Sequence, residues 1–509
     1  MTLASKAEPA NRTGVTRSSL LWPITLALCA CGPAADSGPV DVAIIGDGND
    51  LLQGGVRLSF AGQHMRAATG AGLVALDEAG QVVPALAERW IVTDDGLSYI
   101  FRLRDAEWAD GEPIEAQEVA ALLREATARL AGTSLGLDLA KLTEVRAMTG
   151  RVIELRLSSP MPEFLRLLAQ PELGLELRGS GAGPMFLALG EDGAPAQLST
   201  QPVRASDEDA NRNEPDRVVR GDGSRRLEVR SMDARAAIDA FTAGDTDLVL
   251  GGTLASFPMI ELGPLSRGTV QVDPALGLLG LAIRRETGFL AAAERREALS
   301  MAIEREALIQ PFGLGGWRAA TWIVPPEQFA PRQYAESRWG GLSIDQRRSQ
   351  ARARVERWEA QTGQEARVSV GLPSGRGSEL LFAGLAAAWE AIGVTVIRTD
   401  MDEGADLEWI DRLARYSSPR WYLNQFNCTI AIGLCSPEAD DLVEQSLTER
   451  DPAAKEALLA SAHAQLMADE VFVPLGVPVR WSLVRGSIDN YLANPWGLHP
   501  LFPLSQPAD

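Results

Sequence analysis

Along most of this chain, short β-branched or alternating runs give way to longer stretches with apolar residues at helical spacing, and back again. Residues 41–45 (DVAII) are β-branched and read as a first strand. Residues 98–104 (SYIFRLR) and 152–157 (VIELRL) alternate as half-buried strands do. Residues 81–90 (QVVPALAERW) read as a turn into a short helix, with the turn signal Asp110-Gly111 further on. Helical spacing recurs at 115–130, 235–243, 294–309 and 452–469. Residues 347–362 read as an exposed helix of mixed charge, and strands at 368–370 and 394–397 flank a helix over 380–392. The turn at 244–247 leads into a strand at 248–250, and 313–326 is a Gly/Trp/Pro-rich loop. Residues 190–226 are rich in charged residues, Ser, Pro and Gly and read as an exposed loop or ragged β-excursion, with a surface hairpin as the alternative. Such alternation predicts an α/β fold. A chain of 509 residues exceeds one hydrophobic core, so at least two lobes are expected.

Net charge is -20, which opposes binding to phosphate backbones and argues against a nucleic-acid partner. Lys6, Arg12 and Arg17 precede a largely apolar stretch at 18–31, too short to span a bilayer and placed as a signal peptide's hydrophobic region is. The run Leu28-Cys29-Ala30-Cys31-Gly32 resembles a bacterial lipobox, so lipidation of Cys31 is expected, with plain cleavage near Ala30 as the alternative. Residues 32–40 read as a tether. Cys428 and Cys435 can close a small disulfide in an oxidising compartment, stabilising by at most ~3 kcal/mol, or stand as reduced buried thiols. No histidine among His64, His463 and His499 lies near them in sequence, which disfavours a metal pair. The chain has no nucleophile elbow, HExxH, phosphate-binding glycine loop or clustered metal ligands, so neither an enzyme nor a cofactor is expected.

Several segments together resemble the family 5 extracellular solute-binding proteins, the group of oligopeptide-, dipeptide- and nickel-binding proteins. The strongest stretch is 83–119, VPALAERWIVTDDGLSYIFRLRDAEWADGEPIEAQEV. Gly181-Ala182-Gly183-Pro184-Met185, Ala243-Gly244-Asp245-Thr246-Asp247 and the RREALSMAIEREAL run at 295–308 follow in the family's order. The resemblance implies two α/β lobes of the large periplasmic-binding type, with an extra subdomain on the first lobe. The expected division is 1–31 signal peptide and lipobox, 32–57 tether and first strand, 58–160 subdomain, 161–271 first lobe, 272–479 second lobe and 480–509 a return to the first. It implies a monomeric, lipid-anchored, extracytoplasmic component of an ABC importer, capturing peptides or peptide-like small molecules for a membrane permease and its ATPase. A sensor or chaperone role for a degenerate relative is the alternative.

The stretch 413–423, LARYSSPRWYL, is similar to the family's Trp-x-Ala-Asp-Tyr-x-x-Pro-x-x-Phe-Leu pattern, and the frame sets Arg415 where an aspartate can hold a peptide's α-ammonium group. A guanidinium repels that cation and grips carboxylates. Arg415 is therefore expected to meet an anionic or carbonyl-rich ligand group or an acidic residue across the cleft, with a salt bridge inside the second lobe as the structural alternative. Tyr416, Trp421, Tyr422, Asn424 and Gln425 offer flat faces and amide hydrogen bonds suited to a small molecule. Trp317 and Trp322, Arg57 and His64 complete the candidate ligand contacts on the resemblance, whereas Trp90 and Asp110-Gly111 are expected to be structural.

Overall fold

The computed structural model describes residues 38–48, 50–52, 55–108, 111–177, 180–189, 194–200, 224–260, 268–330, 337–401 and 403–506. The expected signal peptide, Cys31, Asp110 and most of 190–226 lie outside these residues. The described part of that last stretch includes the strand Ala196–Thr200, paired antiparallel with Met185–Ala188 and with Leu227–Met232.

Three sheets organise the two lobes. The first runs Met185–Ala188, Ala196–Thr200, Leu227–Met232, Val40–Ile45, Leu248–Thr253, Arg480–Val484, Val270–Val272. Val40–Ile45 lies parallel to both its neighbours, and Val42, Ile44, Val229, Leu248 and Leu250 fill the core beneath it. The second has five strands, Thr395–Thr399, Arg367–Gly371, Leu407–Leu413, Gly277–Ile283 and Phe472–Gly476. Gly277–Ile283 is buried along its whole length, the mark of a strand covered on both faces. A four-stranded antiparallel sheet, built from Ala87–Val92, Ser98–Leu103, Val152–Leu157 and Leu142–Ala147, carries the subdomain. Its core of Phe101, Val119, Leu123, Ile153 and Leu155 is continuous with Tyr416, Trp421 and Phe426 of the second lobe.

Residues 81–90 form no helix. Val82–Pro84 is a strand, and Ala87–Val92 pairs with Ser98–Leu103, setting Trp90 opposite Phe101. The turn between them uses Gly96 at φ +67, and cross-strand pairing overrides the helical tendency of Ala-Leu-Ala-Glu. Two further readings change in detail. The 294–309 stretch breaks at Ile303 (ψ 126) into Ala293–Ala302 and Arg305–Ile309. The helix Ile344–Thr362 starts in a capping box between Ser343 and Gln346 and buries Ala351, Val355 and Trp358, so it is amphipathic rather than exposed. Helix Pro452–Asp469 coincides with the expected span. Cys428 and Cys435 are joined by a disulfide with Cα atoms 5.1 Å apart.

The strand Arg480–Val484 ties the chain's return to the first sheet. Trp481 is fully buried, donates from Nε1 to Thr253 O at 2.9 Å, and lies in register with Gly252. A Cβ on Gly252 would stand 2.0 Å from the indole. Gly252→Ala is therefore expected to cost about 1–3 kcal/mol by overpacking. Thermal or urea unfolding measures this, and an unchanged midpoint would show that the strand pair yields freely.

Candidate functional site

Strand Leu407–Leu413 ends at a bend, and the chain restarts as the short helix Pro419–Asn424, with Pro419 pre-set for the first helical turn. This bend points a row of side chains from the second lobe at the first. Between the lobes lies a cavity of about 500 Å³, within the range of small-molecule sites.

Arg415 is on its wall. Nη1 and Nη2 donate to Glu172 Oε2 and Oε1 at 2.9 and 2.7 Å, and Nη1 donates also to Gln170 Oε1 at 3.0 Å. Glu172 sits in the turn Pro171–Leu173 on the first-lobe side and is 2% exposed, against 22% for Arg415. Burial pulls the Arg415 pKa down, but the charge and hydrogen bonds of Glu172 outweigh it, and the guanidinium titrates above its ordinary range. Of the expectations for Arg415, the geometry matches the acidic residue across the cleft; the pair joins the lobes and is not internal to the second.

A second interlobe cluster surrounds Asp138, at the end of the subdomain helix Ser134–Asp138. Its Oδ1 accepts from Tyr416 Oη at 2.9 Å and Asn424 Nδ2 at 2.7 Å. Its backbone oxygen accepts from Arg420 Nη2 at 2.9 Å, and Arg420 also donates to Leu137 O. Burial pushes the Asp138 carboxyl up to about 6, against the lowering effects of Arg420 and of the hydrogen bonds from Asn424 and Tyr416. Arg480 pairs with Asp411 at 2.7 Å, each side chain 10% exposed.

The sequence-expected contacts divide. Arg415, Trp421, Gln425 and Arg57 line the cavity. Tyr416 and Asn424 do not; they are spent on Asp138, and Tyr422 is buried against Trp421. Trp317 lies elsewhere, against Gly476, with Nε1 donating to Val477 O at 3.0 Å. Trp322 is half-buried and outside the cavity lining. His64 is also displaced from its expected place. It is fully buried, donates from Nδ1 to Phe60 O at 2.8 Å and accepts at Nε2 from the His499 amide at 3.3 Å, and burial lowers its pKa to about 4. A neutral histidine holding two backbone groups has a packing role. Sequence reasoning missed Glu172, Gln170, Asp138, Arg412 and Arg480. For Glu172 a signal existed, an acid inside the apolar run Pro171–Leu173 and Leu175, but its partner is 243 residues away. Among the described residues no three His, Cys, Asp or Glu side chains converge to hold a metal ion.

Two α/β lobes share this cavity. Residues 81–208 match the family described as bacterial extracellular solute-binding proteins, family 5 middle. The chain is 24% identical over 469 residues to the probable di/tripeptide-binding protein 5 of Pseudomonas aeruginosa, covering 82% of this chain and 86% of that one. A stretch of 128 residues is 36% identical to the probable deoxycholate-binding periplasmic protein YgiS of Escherichia coli, covering 20% of this chain and only 22% of that relative's length. Among solved structures, Haemophilus influenzae OppA in complex with RPPGFSPFR superposes with a TM-score of 0.76 at 18% identity, covering 93% of this chain and all of that one. The murein tripeptide binding protein MppA of Escherichia coli gives 0.74 at 19% identity, covering 92% and 98%. These likenesses establish the fold.

Because burial raises the Asp138 pKa in the folded state, its stabilising contribution is present below the unfolded value near 3.8 and is lost as pH rises through about 6. Asp138→Asn keeps an acceptor for Tyr416 and Asn424 but cannot titrate. The variant is expected to flatten the fall in stability between pH 4 and 7 by roughly 3 kcal/mol. Unfolding midpoints across that range read this directly, and superimposable profiles would contradict it.

Proposed function

We propose that this protein is the substrate-binding component of an ABC importer, which captures a peptide-like small molecule between its lobes and presents it to a membrane permease. The observation that carries this reading is the cavity itself. It is walled by both lobes, and contacts between side chains far apart in sequence bring its walls together. Closing two lobes on a solute converts binding energy into one recognisable shape, which a permease can read. The relatives support it. One carries the description di/tripeptide-binding protein, another nickel-binding periplasmic protein, and two Brucella proteins putative ABC transporter peptide-binding protein.

In this reading the protein works outside the cytoplasm as a monomer, held to a membrane by lipid on Cys31, and binds without catalysis. Trp421 walls the ligand's chamber, Gln425 braces Arg412 there, and Arg57 closes over the ligand from the first lobe. Arg415 acts mainly as the clasp that holds Glu172, which leaves the family's ammonium-binding position occupied by a paired cation.

Native mass spectrometry of the protein purified from expressing cells is expected to show a one-to-one complex with a small molecule. Adding that compound back to stripped protein should raise the melting temperature, because a ligand that binds only the native state stabilises it. An empty protein that no peptide or peptide-like nutrient stabilises would contradict solute binding.

A further inference from the structure

Four arginines, Arg57, Arg412, Arg415 and Arg480, reach the cavity wall, and among the described residues Glu172 is the carboxylate that lines it. Arg415 is matched to Glu172, and Arg480 to Asp411. Arg412 and Arg57 are not matched. Arg412 is half-buried and donates Nη1 to the neutral Gln425 Oε1 at 3.0 Å, and among the described residues no carboxylate lies within 4 Å of either guanidinium. The arrangement is unusual in a molecule of net charge -20. Burial, and then the neighbouring charge of Arg415, pull the Arg412 pKa down, with Glu408 opposing, so the protein itself leaves this cation poorly compensated. An unpaired charge in a partly desolvated wall is costly until a counter-charge arrives.

We infer that the cavity is built for a small anionic ligand whose carboxylate or phosphate group is received by Arg412, with Arg57 facing it from the other lobe, and which carries no free ammonium group. The inference rests on the solute-binding reading above and specifies its ligand class. A guanidinium presents paired donors that fit either oxyanion. Gln425 holds Arg412 in place by its Oε1, while its own Nε2 is fixed on Trp421 O at 3.0 Å, so the receptor is braced before ligand enters. Beside the buried Trp421, Trp496 offers a face for an apolar body and Ser134 a hydroxyl. An α-ammonium has no place here, since Glu172 is already consumed by Arg415.

The test is calorimetric titration and thermal shift of the full-length protein with four matched probe sets: N-acetylated dipeptides with free carboxylates, the same compounds as C-terminal amides, free-amine dipeptide amides, and organic monophosphates. Acetylated acids or monophosphates should bind and the neutral amides should not; the two responding sets tell carboxylate from phosphate. Arg412→Gln should weaken the best anion at least about tenfold, Arg412→Lys should recover part of it, and the exposed Arg57→Gln, which leaves the fold untouched, should weaken it less. Binding by free-amine or neutral probes, unaffected by Arg412→Gln, would overturn the anionic assignment and leave solute binding standing. Silence from every set would overturn both.

Discussion

Arg415 and Glu172 leave water together, and they can do so only when the two lobes are in contact. A carboxylate buried to 2% exposure has lost most of its hydration and must recover it from a partner. The bidentate fork of Arg415 supplies two of the bonds, and the amide of Gln170 accepts a third from the same guanidinium. Breaking such a pair from one side leaves a charge stranded, at a cost of about 3–5 kcal/mol. The contact therefore acts as a clasp with a strong penalty for half-closure. Asp138 and its ring of donors from the bend and helix of the second lobe add another fastening on the subdomain side.

With the clasp in place, closure and recognition separate by residue. Tyr416, Asn424 and Arg420 serve the lobe–lobe surface, while Trp421, Gln425 and Arg412, interleaved with them in sequence, face the cavity. A helix of six residues can do both because successive side chains point in different directions around its axis. The Arg415 position thus changes the site twice. It removes a carboxylate suited to an ammonium group, and it consumes the acid that could have replaced it.

Local periodicity made most strands and helices legible. The β-branched run at 41–45, the alternating 98–104 and 152–157, and the capped helix at 452–469 each carry their own signal. Residues 81–90 did not, because their strand exists through pairing with Ser98–Leu103, which outweighs a helix-favouring composition. The site was legible as a segment and not as a set of roles. Sequence placed the aromatic and amide residues of 415–425 near a cleft but gave no means of telling Tyr416, which faces Asp138 from 278 residues away, from Trp421, which faces the cavity. His64 misled for a similar reason, since a lone histidine after the first strand looks the same whether it meets a ligand or caps the His499 amide. Long-range partners such as Glu172 and Asp138 appear only once the chain is folded.

A double-mutant cycle on Arg415→Gln and Glu172→Gln, followed by urea unfolding, tests the clasp most directly. If the pair closes the lobes, each single change should destabilise, and the double change should cost well under their sum, with a coupling above about 1 kcal/mol. Additive losses, within about 0.5 kcal/mol, would mean that the two side chains act independently and that closure depends on something else.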